Sequence, residues 1–235
     1  MWSRLVDGRV LRFRLGGINN QNFLMYDEET GSWWQQITGQ CILGPLKGRR
    51  LERIYSDEVT LATWRREHPE STAVRFDPRY EYPGSNWADR ISKLPVTVPP
   101  DPSSPLAPRD LVVGVEAGGA ALAVPLRILR EHKTINTRVG DTPVLFLLGD
   151  GNAVRTFLRT AEFYRRPDGS LIDDASGSTW DFSGRAVSGP RAGRVLQRVQ
   201  NITEFWFDWK RYHPATALYR AGESIRRNRA TSPHR

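Results

Sequence analysis

Two histidines, His68 and His213, lie 145 residues apart, and each is followed directly by a proline. A matched pair of imidazoles could bind a metal ion or carry a proton. Each histidine also follows a segment with helical character, where an imidazole can hydrogen-bond the last carbonyl groups of the helix. We therefore expect two helix caps, and the sequence predicts neither a metal site nor a bound cofactor.

Acidic residues cluster before two short turns. Asp27 and Asp173 each precede a glycine flanked by hydroxyl residues, with Glu28, Glu29 and Asp174 beside them. Paired carboxylates could act as a general acid and a general base. Carboxylates at the start of a turn more often accept hydrogen bonds from its backbone and fix the turn. We expect this second role, and we keep Asp27 and Asp173 as ligand-binding candidates.

Three polar residues are the candidates for catalysis. If the chain is an enzyme, His132, Asn136 and Asp150 are expected to line its cleft. Residues 149–152 lack the lysine and hydroxyl residue of a phosphate-binding loop and predict a hairpin turn instead. No motif of a known catalytic class is present, which favours a protein that is not an enzyme.

Tryptophans could form a platform that stacks on a sugar or a base. Four of them recur at matching positions in two parts of the chain, which favours a shared packing role in the core: Trp34, Trp64, Trp180 and Trp209. Trp33 and Trp206 instead stand opposite Thr179 and Leu61. Those two tryptophans are therefore the better candidates for a ligand-binding surface.

The chain is basic, with a net charge of +8 and a pI of about 10.0. Such a charge favours polyanionic partners when the cations are clustered. Here the arginines are spread over the whole chain, so nucleic-acid or polyanion binding is the weaker alternative. Cys41 is the only cysteine, which excludes a disulfide within the chain and a cysteine-rich metal site.

No part of the sequence has the composition of a membrane span. Its apolar runs are shorter than the ~18 to 20 residues that cross a bilayer, so no transmembrane segment is predicted. Met1 is not followed by an apolar signal region. The sequence alone therefore predicts a cytoplasmic protein if Met1 is the native start.

The sequence contains an internal repeat. A shift of 146 residues, which becomes 145 after one deletion, superposes glycines, prolines, tryptophans and a histidine. The matched residues of the first copy include Asp27, Gly31, Ser32, Trp34, Gly39, Gly44, Pro45, Gly48, Trp64, His68 and Pro69. Because glycine and proline restrict the backbone to particular turns, we expect both copies to share one fold.

The repeat divides the chain into four segments. They are an incomplete first unit over residues 1–76, a proline-rich connector over 77–109, a complete second unit over 110–220 and a basic disordered tail over 221–235. Residues 110–154 have no counterpart in the first copy. We therefore expect either a first unit that lacks about 45 residues at its N-terminus or a start codon further upstream.

The predicted fold class is α+β and β-rich, with two tandem homologous units of mostly antiparallel strands that each end in a short helix containing tryptophan. Segments of branched and aromatic residues predict strands at 10–15, 23–26, 40–43, 111–115, 144–148 and 185–187. Helices are predicted at 57–67, 120–131 and 202–212. In the last helix Thr203 is the expected N-cap, and Pro214 is expected to end the helix.

The repeated motifs resemble one known family. The first copy has Thr30-Gly31-Ser32-Trp33-Trp34, Gly44-Pro45-Leu46-Lys47-Gly48 and His68-Pro69, and the second has Gly177-Ser178-Thr179-Trp180-Asp181 and Phe205-Trp206-Phe207-Asp208-Trp209. These motifs are similar to those of the bacterial and archaeal family called domain of unknown function 3179. The resemblance implies a tandem β-rich architecture and an extracytoplasmic location. It implies no known reaction.

Duplication without a catalytic motif favours a non-catalytic binding or scaffold module, with a groove between the two repeat units. Its partner is expected to be a ligand or a protein whose identity the sequence does not give. The alternative is an enzyme of unknown reaction with a cleft around His132, Asn136 and Asp150.

Overall fold

The computed structural model describes residues 1–19, 22–75, 77, 79, 90, 93–96, 99 and 101–222. The chain divides into two compact units. The first comprises Met1–Leu111 and Glu204–Pro214, and the second comprises Val112–Thr203 and Ala215–Arg235. The predicted basic tail lies outside the described residues from position 223 onward, as does much of the connector between positions 76 and 100.

The first unit begins with strands that pair in chain order. They are β1 (Leu5–Val6), β2 (Arg9–Val10), β3 (Phe13–Asn19), β4 (Asn22–Asp27), β5 (Trp33–Gln35) and β6 (Cys41–Leu43). The first two form a hairpin, and the other four form an antiparallel sheet in the order β3-β4-β5-β6. The indole of Trp34 lies at the centre of a small core with Leu11 and Leu51. A helix, α1 (Leu61–Glu67), follows this sheet.

The remaining strands lie wholly or mainly in the second unit. They are β7 (Leu111–Ala117), β8 (Ala120–Pro125), β9 (Thr134–Val139), β10 (Thr142–Leu148), β11 (Val154–Leu158), β12 (Phe163–Arg165), β13 (Leu171–Asp173), β14 (Thr179–Trp180), β15 (Ala186–Ser188), β16 (Arg198–Val199), β17 (Asn201–Phe205) and β18 (Ala217–Leu218). Three sheets result, with the orders β17-β7-β8-β18, β16-β11-β10-β9 and β12-β13-β14-β15. The pairing of β18 with β8 is parallel.

Strand β10 carries two separate cores on its two faces. Val144 and Phe146 pack in a cluster with α2 (Leu126–His132), whereas Leu145 and Leu147 pack in a second cluster. A strand that is buried on both faces is apolar at every position rather than at alternate ones. This burial explains why residues 144–148 form a continuous apolar run in the sequence.

The strand-rich α+β class with mostly antiparallel sheets is confirmed. Five predicted strands agree with observed strands to within two residues at each end, namely those at 23–26, 40–43, 111–115, 144–148 and 185–187. The strand predicted at 10–15 is interrupted, because β2 ends at Val10 and β3 begins at Phe13. The side chain of Leu11, between these strands, is buried in the core.

The helix predicted at 120–131 is wrong in its first half. Residues 120–125 form strand β8, and the helix α2 starts only after Pro125. The leucines at helical spacing, Leu122 and Leu126, belong to two different elements. Proline has no N–H to donate within a helix, so Pro125 is accommodated at the start of α2.

The helix predicted at 202–212 is also shorter than expected. Residues 201–205 form strand β17, and the helix, α3, spans Trp206–Tyr212. Thr203 is therefore not its N-cap, and the residue at that position, Phe205, makes no side-chain capping hydrogen bond. The helix predicted at 57–67 begins at Leu61, where the hydroxyl of Thr60 accepts a hydrogen bond from the backbone N–H of Thr63.

Among the residues that the structure describes, none of the helices combines the length and the apolar character that crossing a bilayer requires.

Candidate functional site

Asp27 and Asp173 are wholly buried, and both fix their turns as expected. One oxygen of Asp27 accepts hydrogen bonds from the backbone N–H of Thr30 at 2.7 Å and the hydroxyl of Thr30 at 2.8 Å. The other accepts the indole N–H of Trp34 at 2.8 Å. A carboxylate enclosed by these donors has no exposed oxygen to offer to a ligand.

Asp173 has the same set of partners in the second unit. Its oxygens accept hydrogen bonds from the backbone N–H and hydroxyl of Ser176, each at 2.7 Å, and from the indole N–H of Trp180 at 2.8 Å. Burial acts to raise the pKa of Asp173, but these hydrogen bonds and the charge of Arg191 together outweigh it and lower the pKa. Asp173 is therefore a charged structural group.

The three catalytic candidates have different surroundings. His132 and Asp150 are exposed. The side-chain amide of Asn136 donates to the backbone carbonyl of Phe163 at 2.7 Å and accepts from the backbone N–H of Phe163 at 2.9 Å. This double hydrogen bond links β9 to β12. Residues 149–152 connect the antiparallel strands β10 and β11, which confirms the hairpin turn.

His68 and His213 occupy the C-cap positions of α1 and α3, as expected. The ring nitrogen Nδ1 of His213 lies 3.1 Å from the backbone carbonyl oxygen of Trp209, and the two rings stack with their centroids 3.7 Å apart. Each histidine also donates its backbone N–H to the backbone carbonyl oxygen of the tryptophan four residues earlier. In the described part of the chain, no group of three or more His, Cys, Asp and Glu side chains could hold a metal ion.

Three of the four recurring tryptophans, Trp34, Trp180 and Trp209, are buried as expected. Trp64 is 41% exposed rather than part of a core, whereas Trp206 is only 6% exposed. Trp33 is partly buried, and its ring lies over the backbone of Gly16, where a Cβ atom would come within 2.9 Å of it. Trp33 also contacts Tyr26 edge to face, with ring centroids 5.9 Å apart. Trp33 therefore covers a sheet face, and Trp206 lies next to a cavity.

The cavity beside α3 has a volume of about 290 Å³ and lies within the first unit. The connector supplies one side of it and α3 supplies the other. Its lining residues are Val96, Pro99, Asp101, Ser104, Leu106, Pro108, Trp206, Phe207, Lys210, Arg211 and Pro214. The indole N–H of Trp206 donates to the hydroxyl of Ser104 at 2.6 Å, which holds the connector against the helix.

Two cationic side chains of α3 line the cavity. The ammonium group of Lys210 donates to the carbonyl of Pro214 at 2.7 Å and lies 5.9 Å from the centre of the Trp206 ring. Hydrogen bonds from Ser103 lower the pKa of Asp101, with a smaller contribution from the charge of Lys210. Arg211 is exposed, and it makes no hydrogen bond or ion pair with any residue that the structure describes.

A pair of acidic residues lies near the start of α3. Asp208 is 5% exposed, accepts a hydrogen bond from the side-chain amide of Asn22 on one oxygen, and has no partner for its buried Oδ1 among the described residues. Burial raises the pKa of Asp208 to about 6. Burial, followed by the charge of Asp208 and then that of Glu58, raises the pKa of Glu204 to about 7.

This carboxyl pair was missed by the sequence reasoning. Glu204 and Asp208 are four residues apart in an aromatic segment, and two acidic residues so placed are a signal of buried carboxyl groups. Strongly shifted pKa values occur in catalytic sites and also in structural networks. The hydrogen-bond partner of Asp208, Asn22, is 186 residues away in the chain and cannot be linked to it by any local pattern.

The turns, the caps and the tryptophan-containing helices described above carry the motifs that resembled a known family. A search of the curated proteins found no match to the chain, and a search of the solved structures found none either. The model of one protein family matches residues 1–216, which is nearly the whole chain. The chain belongs to that family, Protein of unknown function (DUF3179).

Proposed function

We propose that the chain is a non-catalytic binding module, and that its ligand is a small molecule that occupies the cavity beside α3. The observation that carries this proposal is the cavity itself, which places the Trp206 and Phe207 rings beside the side chains of Lys210 and Arg211. The expected site was a groove between the two repeat units. The proposed site is a cavity formed by residues of the first unit alone.

The lining of the cavity has the composition of a ligand site. Ligand pockets are concave and mostly apolar, with few polar groups that fix the orientation of the ligand. Here prolines, aromatic rings and the aliphatic side chains of Val96 and Leu106 together supply most of the walls. Because Ser104 already accepts the indole N–H of Trp206, the indole contributes an apolar ring edge rather than an unsatisfied donor. A volume of about 290 Å³ suits a small molecule and not a folded partner.

A fragment screen with a filled-cavity variant tests the proposal. Val96 lines the cavity, so Val96→Trp should fill it, whereas Leu94→Trp adds the same ring at an exposed connector position. Small aromatic and aliphatic compounds are screened by ligand-observed NMR against the wild type and both variants. We expect compounds that bind the wild type and Leu94→Trp and no longer bind Val96→Trp. Binding that is equal in all three proteins, or no binding at all, would contradict the proposal.

The enzyme alternative rests on His132, Asn136 and Asp150. It has less support, because the Asn136 amide already forms two hydrogen bonds with the backbone of Phe163. A panel of hydrolase substrates tests it. Turnover by the wild type that His132→Ala abolishes would favour the enzyme, and turnover that His132→Ala leaves intact would dismiss this cleft.

Polyanion binding is the weakest alternative, since it depends on arginines that are spread over the chain. Binding to phosphates depends steeply on salt because counterions are released. A gel-shift assay with single-stranded and duplex DNA at low and moderate ionic strength is the test. A shift that disappears as salt increases would support this alternative.

A further inference from the structure

We infer that the ligand of the cavity beside α3 is a planar, mostly apolar molecule with a single carboxylate, and that Arg211 binds this carboxylate. The inference rests on the proposed function, since it names the chemical class of the molecule that would occupy the same site.

The charges that line the cavity are not balanced. Asp101 and Lys210 interact electrostatically with each other, and Lys210 also donates a hydrogen bond to the carbonyl of Pro214. Asp101 further accepts hydrogen bonds from the backbone N–H and the hydroxyl of Ser103 at 2.9 and 2.6 Å. Arg211 remains as the one charged lining group that has no ion-pair or hydrogen-bond partner among the described residues.

A carboxylate is the anion that matches a single unpaired guanidinium. The guanidinium group is planar and presents its N–H donors in a fork that fits a carboxylate with two parallel hydrogen bonds. A phosphate monoester carries about −1.5 to −2 charges at neutral pH. The excess charge of the cavity lining is +1, from Lys210 and Arg211 against Asp101, which suits a singly charged anion.

The rest of the ligand is expected to be planar and apolar. The Trp206 ring is held in place by its hydrogen bond to Ser104, and Phe207 is the second aromatic residue in the lining. Aromatic rings pack on flat partners in stacked or edge-to-face arrangements. Arg211 is exposed, so we expect its carboxylate partner to keep contact with solvent while the ring of the ligand packs on Trp206 and Phe207.

Indole-3-acetate and indole-3-acetamide are the probes that test the inference. They have the same ring and nearly the same size, and they differ in charge. Isothermal titration is run with the wild type, with Arg211→Gln and with Arg66→Gln. Arg66 is the matched control because it occupies the equivalent position of α1 and does not line the cavity.

We expect the wild type to bind the acid about tenfold more tightly than the amide, which is the scale of a hydrogen bond to a charged group. Arg211→Gln should lose this preference and bind both probes with the affinity that the wild type shows for the amide. Arg66→Gln should keep the preference. Arg211 is exposed, so its variant should fold, and an unchanged thermal melting curve verifies this.

The outcomes separate this inference from the proposed function. Equal affinity of the wild type for acid and amide would overturn the carboxylate inference, while the cavity would remain a binding site. Retention of the preference in Arg211→Gln would also overturn it. If no compound of the fragment screen binds and neither indole binds, the proposed function itself fails.

Discussion

Glu204 and Asp208 predict that the chain loses stability as the pH rises through neutrality. The pKa of Glu204 is raised from 4.5 to about 7, chiefly by burial and next by the charge of Asp208. A carboxyl group whose pKa is higher in the folded than in the unfolded state takes up a proton on folding. Its stabilising contribution is therefore complete below pH 4.5 and is lost as the pH rises through about 7.

The size of the effect follows from the two pKa values of Glu204. One pKa unit corresponds to about 1.36 kcal/mol, and integration between pH 5 and pH 8 gives a loss of about 2–3 kcal/mol in the free energy of unfolding. The substitution Glu204→Gln removes the ionisable group. It keeps the side-chain oxygen that accepts the backbone N–H of Phe205 at 3.2 Å. The variant should therefore lack this part of the pH dependence.

Urea unfolding followed by tryptophan fluorescence measures the difference at pH 5 and at pH 8. Subtraction of the Glu204→Gln values from the wild-type values removes the contributions of titrating groups that do not interact with Glu204, and it leaves any change in the coupled groups Asp208 and Glu58. We expect the difference to change by about 2–3 kcal/mol, with the wild type losing more stability at pH 8. Glu70→Gln, which removes an exposed carboxylate, is the control and should follow the wild type. Parallel pH profiles for the wild type and Glu204→Gln would refute the reasoning.

Two further predictions concern the second unit. A Cβ on Gly184 would lie 2.4 Å from the Phe157 ring, so Gly184→Ala should lower the unfolding free energy by about 1–3 kcal/mol and the Tm by several degrees. Gly193 has a similar positive φ, but a Cβ there would meet no neighbouring atom, so Gly193→Ala should show only the smaller cost of the backbone conformation. Equal Tm values for Gly184→Ala and Gly193→Ala would contradict the packing argument. Asn136→Ala leaves the backbone N–H and carbonyl of Phe163 without their partner and should cost about 1–3 kcal/mol in urea unfolding. No change in the unfolding midpoint would show that water replaces the amide.

The turns were predictable because their causes are local. Asp27 accepts hydrogen bonds from Thr30 three residues later and from Trp34 seven residues later, all within one hairpin. Gly31 has a φ of +71°, a conformation that glycine adopts without steric cost. Because the residues that form the turn are close together in the sequence, their types are sufficient to predict the turn.

The boundaries of two helices were mispredicted because apolar spacing does not separate a strand from a helix over a short run. Leu122 lies in β8 and Leu126 in α2, and yet their spacing of four residues matches one helical turn. Likewise Ile202 and Thr203 lie in β17, before the helix begins at Trp206. In both cases tertiary pairing of the first residues with neighbouring strands decided the structure.

The sequence did not predict the candidate site, for a different reason. The first unit of the structure includes Glu204–Pro214, which the sequence repeat assigns to the second copy. Trp206 meets Ser104 across 102 residues of chain, and Asp208 meets Asn22 across 186. An alignment of the two copies shows which positions of one copy match those of the other. It does not show which segments pack against each other in the folded chain.

Helix α3 belongs to the second copy of the sequence repeat but lines the candidate site in the first unit of the structure. Its counterpart, α1, carries Leu61 where α3 carries Trp206, and it has Thr63 and Arg65 at the positions of Asp208 and Lys210. Most of the residues that differ between the two helices line the cavity or belong to the buried acid pair, among them Trp206, Asp208 and Lys210. The matched tryptophan and histidine form the same C-terminal cap. Shared positions of the repeat thus maintain the cap of the helix and include Arg211, whose counterpart is Arg66. The positions that differ give α3 the aromatic part of the proposed binding site and the Asp208 carboxyl group of the acid pair.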